Sequence, residues 1–399
     1  MAADLRVAVE RALGEADGIL RLEPAWVARD WLPPGRRLGL PEEAYDVGER
    51  GFICERWLGS TTRADNRVGP DDEGLSRVVL GEGHTPTLAA AVRAAGPELM
   101  GAQYAATHAG LGRLAKIFDF AARIPYHIHP PQSAAALVGR NAKEEAYYFP
   151  GGVDMGPHPE TFFGVHPRVA EDGREATLLP YLVAWDSDLI LRHARAYLQV
   201  AEEGFHIPSG VLHAPGTALT IELQEDSDTL AMLQALNAGR IIDKQLLFKD
   251  VEPGERARRG EAAVLEWVDW ATNGDPWFYE HRHLAPVPVE GTEQAEGEEH
   301  WLFHNSSRFS GKRVRVRTGG RITTRDRGVY TLLAWQGRGR WGGAEIEGGV
   351  PGRDELLVAH DRATRPLEVT NTGTEDLVVI KFFGPDVNDD APRIAERPA

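Results

Sequence analysis

Short runs of β-favouring residues dominate the hydrophobic pattern of this chain from about residue 113 to residue 225. The segments RLAKIFDFA, EEAYYFP, FFGVHP and ALTIELQ are examples, and Gly, Pro, Asp and Asn separate them. Short β-type runs between turn residues are typical of a sandwich or a barrel. The runs do not alternate with long helical segments, so the pattern disfavours a doubly wound parallel sheet.

A second block of the same kind occupies residues 301–383, where RVRVRT, GVYTLLAWQG, ELLVAH and DLVVIKFFG predict further strands. Between the blocks, residues 253–270 return to helical spacing, and PVPVEGTEQAEGEEH is acidic and punctuated by proline, as expected of a solvated connector. We therefore predict a mostly β chain with these parts: a first domain at 1–285 with an N-terminal arm and helical additions, an acidic linker at 286–300, a second β domain at 301–385 and a tail at 386–399.

Two helices are predicted ahead of the first β block. Residues 1–20 carry apolar side chains at helical spacing. In the segment TPTLAAAVRAAGPELMG, Thr85 is the expected N-cap, Pro86 the first helical residue, and Gly101 lies beyond the last turn. The segment GFICERWLGS predicts one strand between these helices.

Composition and charge exclude several classes of protein and of binding partner. The chain has 399 residues, of which 42% are hydrophobic, and 44 basic against 60 acidic residues give a net charge of -16. This charge argues against a nonspecific nucleic-acid or anionic-membrane surface. Its single cysteine, Cys54, cannot form an intramolecular disulfide, and no stretch approaches the ~18 apolar residues of a membrane-spanning helix. We expect a cytoplasmic monomer or homodimer that binds neither nucleic acid nor membrane.

The segment IPYHIHPP places two histidines on one face of a predicted strand. Successive side chains of a strand point to opposite faces, so His127 and His129 project together while Ile128 points the other way. Two imidazoles at this spacing can chelate one ion. The prolines at 130 and 131 end the strand.

A predicted strand at KEEAYYF adds a carboxylate. In this strand Glu145 shares a face with Lys143 and Tyr147, whereas Glu144 lies on the other face. Burying a carboxylate in the middle of a strand costs free energy unless the group is paired or bound to a cation. Glu145 therefore needs such a partner.

The turn in GFHIPSGVLH completes a candidate metal site by placing His213 at the start of the next strand. His127, His129, Glu145 and His213 would then supply three nitrogen ligands and one oxygen ligand. Such a mixed set suits one divalent ion, with zinc as the first expectation and Mn, Fe, Co or Ni as the alternatives, and it leaves coordination positions open for a substrate.

Taken in chain order, the segments described above resemble those of the type I phosphomannose isomerases, also called mannose-6-phosphate isomerases, of the cupin superfamily. The resemblance runs from about residue 85 to residue 228, and IPSGVLHAPG followed by IELQEDSD is its most specific part. It implies a bicupin, that is, two jelly-roll β-barrels with a few added helices. It also implies a metal-dependent aldose–ketose isomerase that acts on a sugar or sugar phosphate through an enediol. The second barrel contains His304 and His360 but no HxH pair, so we assign it no metal.

The resemblance also implies roles for single residues. His129, Glu145 and His213 fall on metal ligands of the family, and His127 falls where the family usually has a glutamine. Lys116 and Lys143 fall on lysines of the family's pocket, and Glu222 falls on a carboxylate with a role in proton transfer. Lys116, Lys143 and Glu222 are therefore the candidate catalytic residues.

A second position, besides His127, departs from the family pattern. The family's catalytic arginine falls on Met232, whose side chain can neither hold a phosphate nor neutralise an enediolate. The sugar and its phosphorylation state therefore stay open.

Two other functions fit the same ligand set. An iron-dependent cupin dioxygenase uses three histidines and a glutamate as well, although the fifteen residues between His129 and Glu145 follow the isomerase pattern. A non-catalytic sugar-binding or regulatory bicupin is the other alternative, and Met232 favours it.

Overall fold

The computed structural model describes residues 2–81, 83–395 and 397, and the chain folds mostly as antiparallel β-structure, as predicted. Residues 1 and 82 of the predicted first domain and residues 396, 398 and 399 of the predicted tail lie outside the described residues. No helix in the described part has both the length and the apolar character needed to cross a membrane.

Two sheets belong mainly to the first β block. The seven-stranded sheet consists, in spatial order, of His283–Leu284, Gly204–Ile207, Glu145–Tyr148, Thr220–Glu225, Arg113–Phe118, Phe52–Leu58 and Ala25–Arg29. The five-stranded sheet consists of Ala231–Met232, His127–Ile128, His213–Ala214, Glu160–Phe163 and Arg195–Leu198. A separate hairpin pairs Leu236–Asn237 with Arg240–Ile241.

Two further sheets contain the strands of the second β block. The eight-stranded sheet consists of Val287–Pro288, Gly297–Phe303, Ser310–Val316, Leu377–Phe383, Tyr330–Gln336, Glu355–Val358, Ile19–Glu23 and Arg77–Val78. The four-stranded sheet consists of Arg321–Thr324, Leu367–Asn371, Arg338–Trp341 and Ala344–Glu347. The N-terminal strand therefore joins the eight-stranded sheet, where Ile19 pairs with Val358. Among the described residues each sheet has a linear strand order with two edges.

Helices cover parts of these sheets. Their bounds are Ala2–Glu15, Leu88–Met100, Ala102–Thr107, Gln132–Ala135, Arg174–Ala184, Pro253–Arg259, Ala262–Leu265, Trp270–Asn273, Phe278–Arg282 and His360–Ala363. The prediction of the helix ending before Gly101 is confirmed, but its predicted start is wrong by two residues. The N-cap is Thr87, whose hydroxyl accepts a hydrogen bond from the amide of Ala90, so this threonine rather than Thr85 satisfies a free amide of the first turn.

The seven-stranded sheet is covered on both faces. On one face Ala115 and Ile117 pack against Ile380 and Phe382 of the eight-stranded sheet, in a shared hydrophobic cluster. On the other face Phe118 belongs to a cluster with residues of the five-stranded sheet. Because strand side chains alternate, Lys116 lies on this second face, between the two sheets of the first block.

Two other hydrophobic clusters pack against the sheets on either side of this pair. Leu178, Val264 and Ile128 belong to a cluster that packs helices against the outer face of the five-stranded sheet. Val314, Trp341 and other buried residues fill the space between the eight-stranded and four-stranded sheets. The site described next lies between the five-stranded and seven-stranded sheets.

Candidate metal centre and adjoining cavity

Strand pairing in the five-stranded sheet brings the histidines together. His127 pairs directly with His213 on one side and with Met232 on the other. The turn before His213 depends on Gly210, which has a φ of +83° and whose added Cβ would lie 2.8 Å from the carbonyl oxygen of Trp267. The amide of Gly210 also donates to the carbonyl of His129, at 2.9 Å, and so ties this turn to the HxH segment.

Backbone carbonyls orient all three imidazoles in the same way. The Nδ1 atom of His127 lies 2.7 Å from the carbonyl oxygen of Pro125, that of His129 lies 2.7 Å from Thr229, and that of His213 lies 2.9 Å from Val211. A carbonyl only accepts, so each Nδ1 donates its hydrogen, and in the neutral imidazole each Nε2 is left as an acceptor or metal ligand. The ligand atoms of the three buried rings lie within 4.8 Å of one another. These histidines are positioned to bind a metal ion.

Glu145 reaches the histidines from the facing sheet. Its Oε1 lies 3.0 Å from Nε2 of His213, and its Oε2 lies 3.1 Å from Nε2 of His129 and 2.9 Å from Nζ of Lys143. The Tyr147 hydroxyl donates to Oε1. The prediction that Glu145 and Glu144 lie on opposite faces is confirmed, because Glu144 is bonded to His206, away from this cluster.

One acceptor of the cluster lacks a donor. Nε2 of His213 is buried, has no hydrogen-bond partner among the described residues, and faces Oε1 of Glu145 at 3.0 Å. Unpaired acceptors that face each other inside a protein repel unless a cation lies between them. The donor set therefore fits a divalent ion, and it contains the three nitrogen atoms and one oxygen atom predicted from the sequence.

Burial and neighbouring charges shift the pKa values of these ligands. Burial, reinforced by Lys143, lowers the pKa of His129 to about 3, and burial together with His213 lowers the pKa of His127. Burial opposes ionisation of Glu145, but the ammonium of Lys143, 2.9 Å from Oε2, holds its pKa well below the usual range. Neutral imidazoles and an ionised carboxylate are the forms that bind metals.

The three candidate catalytic residues lie beside the candidate metal ligands. Glu222 pairs across the seven-stranded sheet with Lys116, and its Oε2 lies 3.3 Å from the ammonium of that lysine. Its Oε1 lies 3.5 Å from Nζ of Lys143 and has no hydrogen-bond partner among the described residues. Burial and the charge of Glu145 raise the pKa of Glu222 to about 8, although both lysines oppose this shift. All seven predicted site residues are therefore in one place.

A buried ion-pair network, which the sequence analysis did not identify, forms one wall of the site. Nε of Arg29 lies 2.8 Å from Oε1 of Glu55, and its Nη2 lies 3.1 Å from Oδ1 of Asp228. The indole of Trp57 donates to Glu55 at 2.7 Å. No local pattern marks Arg29, because its partner Asp228 is 199 positions away in the chain.

Two neighbouring spaces adjoin these residues. A small space of about 40 Å³ touches His127, His129 and Glu222. It adjoins a cavity of about 570 Å³, with which it shares the lining residues Arg29, Trp31, Leu230 and Met232. A substrate that reaches the candidate metal centre from this side therefore passes Met232.

Solved structures with the same architecture cover nearly the whole chain. Mannose 6-phosphate isomerase from Bacillus subtilis is 16% identical and aligns over 91% of this chain and 99% of its own, with a TM-score of 0.61. A variant of phosphomannose isomerase from Salmonella typhimurium is 12% identical, aligns over 92% and 100%, and has a TM-score of 0.61. A zinc-bound mannose 6-phosphate isomerase is 12% identical, aligns over 92% and 100%, and has a TM-score of 0.60.

The chain has the fold of the mannose-6-phosphate isomerases. The resemblance predicted from the sequence is confirmed at the level of the fold. No protein-family model and no curated protein matches the chain by sequence. Because the identities are so low, the argument about function depends on the residues of this chain.

On the mannose-6-phosphate isomerase fold, Met232 lies next to the candidate metal centre. It is 1% exposed, pairs with His127 and lines both spaces. The position of the family's arginine is therefore part of the pocket, and the Met232 side chain contributes an apolar surface there.

The second β block of this fold contains a different buried cluster. Lys381 lies 2.9 Å from Glu299 and 2.9 Å from Asp326, and Lys312 lies 2.9 Å from the other oxygen of Asp326. These charges are buried, and they neutralise one another. His304 instead bonds the carbonyl of Ala285, at 3.1 Å.

Proposed function

We propose that this chain is a metal-dependent aldose–ketose isomerase, which moves a proton between C1 and C2 of a sugar or sugar phosphate through an enediol. The proposal depends on one observation. Three imidazoles and a carboxylate come together in one place, and they belong to His127, His129, His213 and Glu145. Beside them lies a second buried carboxylate, Glu222, between two lysines. The fold shared with mannose 6-phosphate isomerases supports it.

The proposed cofactor is one divalent ion, with zinc in first place, held by the three Nε2 atoms and the carboxylate of Glu145. When bound, the ion supplies Lewis-acid stabilisation of the negative charge that develops on the substrate oxygens. The unpaired Nε2 of His213, which faces the Glu145 carboxylate at 3.0 Å, is the observation that supports a cation here. Zinc-bound structures with this fold support the choice of metal.

Glu222 is the proposed proton-transfer residue. A carboxylate whose pKa is raised to about 8 by burial and by Glu145 can accept a proton from one carbon and return it to the other near neutral pH. Lys143 and Lys116 flank it at 3.5 Å and 3.3 Å. We assign to these two ammonium groups the orientation of the substrate oxygens and the neutralisation of charge around Glu222.

We also propose that the two pairs of facing sheets are two jelly-roll units of a bicupin. The first is assigned to 1–285, the acidic linker to 286–300, the second unit to 301–385 and the tail to 386–399. The linker is not the solvated connector that was predicted, because it contributes Val287–Pro288 and the first residues of Gly297–Phe303 to the eight-stranded sheet, and Glu299 is buried. The hydrophobic clusters between the five-stranded and seven-stranded sheets, and between the eight-stranded and four-stranded sheets, support this division. The N-terminal strand then crosses from the first unit to the sheet of the second. A cytoplasmic monomer or homodimer remains our proposal for the assembly and its location.

Elemental analysis combined with an isomerisation screen tests the proposed function. The purified protein is expected to contain one divalent ion per chain and to interconvert at least one aldose–ketose pair among hexose phosphates, free hexoses and pentoses. Stoichiometric iron with substrate-dependent oxygen uptake would instead identify an oxygenase. Sugar binding without turnover on any pair would identify a binding protein.

A further inference from the structure

The five-stranded sheet has a free edge that can accept another strand. Arg195–Leu198 forms this edge and, among the described residues, pairs with a strand on one side only. The next residue, Gln199, donates its amide to the carbonyl of Pro159 on that paired side, at 2.7 Å. Because the backbone groups of successive strand residues point alternately to the two sides, those of Ala196 and Leu198 point to the free edge.

The other sheet edges in the described part of the chain are short, charged or covered. Ala344–Glu347 carries two glutamates, Arg321–Thr324 begins with an exposed arginine, and Ala25–Arg29 is mostly buried. The remaining edge strands have two residues each. Proteins use such features to keep the edges of their sheets from pairing with other chains.

The exposed face of Arg195–Leu198 and the residues after it is apolar. Ala196, Leu198 and Val200 alternate with residues that are turned inward, and the two larger side chains are 62% and 38% exposed. The guanidinium of Arg195 does not interrupt this row, because it donates to the carbonyl of Asn273 at 2.8 Å. A row of exposed apolar side chains on an edge strand is typical of a contact surface for another chain.

We propose that Arg195–Leu198 is the interaction surface for a second copy of this chain, and that the two copies of the strand pair antiparallel about a two-fold axis at Leu198. This axis places Leu198 opposite Leu198, and Ala196 opposite Val200 of the other copy. The backbone groups that point to the free edge then face each other, and the exposed apolar row continues from one copy into the other on the same face of the joined sheet.

The charges at the two ends of this segment are complementary in the same arrangement. Arg192 and His193 precede the strand, and Glu202 and Glu203 follow it. In an antiparallel pair the basic end of each copy lies beside the acidic end of the other. Among the described residues Arg192 is exposed and has no ion pair, and the carboxylate of Glu202 is 58% exposed beside its one partner, Arg313. The segment is therefore complementary to itself, which favours a second copy over an unrelated strand.

Analytical ultracentrifugation of the purified full-length chain tests this surface. The wild type is expected to be a dimer at micromolar concentration. L198E removes both leucines from the interface and puts two carboxylates opposite each other, so the dissociation constant should rise by at least about 100-fold. The control L137E makes the same change at a leucine of matching exposure, 60% against 62%, and should dimerise like the wild type. Circular dichroism shows that each variant is folded.

A thiol-specific cross-linker tests the register of the pair. The single native cysteine, Cys54, is buried, so L198C carries one accessible thiol. Hydrogen-bonded residues that face each other in an antiparallel pair have Cα atoms about 5.5 Å apart, within the span of a short bismaleimide. L198C should therefore give a covalent dimer on a denaturing gel, whereas the control L137C should give the monomer.

A monomeric wild type, or a dimer that L198E leaves intact, would overturn the proposed surface. Equal cross-linking of L198C and L137C would overturn the pairing at Leu198. None of these measurements uses turnover of a sugar, so the interaction surface and the isomerase proposal are tested separately.

Discussion

The carboxylate of Glu145 and the imidazole of His213 face each other with 3.0 Å between Oε1 and Nε2. They come from different sheets, and both are fully buried. The hydrogen on Nδ1 of His213 is donated to the carbonyl of Val211, which leaves Nε2 of the neutral ring without a partner among the described residues. A cation between these two atoms would turn a repulsive contact into a ligand pair, which is why the metal proposal centres on them.

Replacing Glu145 is expected to abolish metal binding, whereas the same change at its neighbour is not. E145A removes the carboxylate that contacts the imidazoles of His129 and His213, and E144A removes one that bonds His206 on the opposite face of the strand. Elemental analysis after purification measures the difference. Equal metal content in the two variants would contradict the assignment of faces.

Glu222 is expected to act in catalysis without being a metal ligand. E222Q keeps the shape of the side chain but cannot accept a proton, so kcat should fall by about 10²- to 10⁴-fold, the usual contribution of general acid–base catalysis. The metal content should match the wild type. A variant that loses both metal and activity would show that this carboxylate supports the metal centre instead.

Glu355, a buried carboxylate of the eight-stranded sheet that pairs with Arg56 of the seven-stranded sheet, is expected to make stability depend on pH. Burial raises the pKa of Glu355 to about 7, although Arg56, at 3.1 Å, opposes the shift. The folded chain therefore holds a proton between about pH 4.5 and 7 that the unfolded chain has released. The resulting stabilisation is complete below the unfolded pKa and is lost as the pH rises through 7.

The Glu355 contribution is measured by comparing the wild type with E355Q. Relative to this variant, the wild type should lose roughly 3 kcal/mol of unfolding free energy at most between pH 4.5 and 7, since one pKa unit corresponds to about 1.4 kcal/mol. Urea titrations across this range measure the difference. Parallel stability curves for the two proteins would show that Glu355 does not titrate there.

Removing Lys381 is expected to destabilise the second β block strongly. K381A leaves Glu299 and Asp326 without a shared cation in the interior, which typically costs about 3–5 kcal/mol. The control R315A removes a half-exposed partner of Asp376 and should cost at most ~1 kcal/mol. Urea denaturation measures both. Similar losses would mean that the buried network contributes no more than a surface ion pair.

The chemistry of the candidate site was largely predictable from local sequence. The alternation of strand side chains placed His127 with His129 and separated Glu145 from Glu144, and the turn at Gly210 placed His213 at the start of a strand. Each of these inferences concerns neighbouring residues, for which the two-residue period of a strand is a sufficient guide.

Local sequence was a weaker guide to boundaries and to long-range pairing. It placed a helix N-cap at Thr85 although Thr87 makes the capping hydrogen bond, because both threonines precede the same apolar run. It did not indicate that Ile19 pairs with Val358, nor that Arg29 meets Asp228. Such pairs depend on how sheets stack, and no periodicity within one segment reports that.

By itself, then, the amino-acid sequence determined which residues are the candidates for the chemistry and which face of a strand each occupies, because strand geometry acts over one or two residues. Only the tertiary structure decided that the two strand faces meet, that Glu222 lies between Lys116 and Lys143, and that Met232 lines a cavity with Arg67 and Arg240 in its wall. The physical reason is that these contacts join different sheets and loops, which are brought together by burial of the hydrophobic clusters between them.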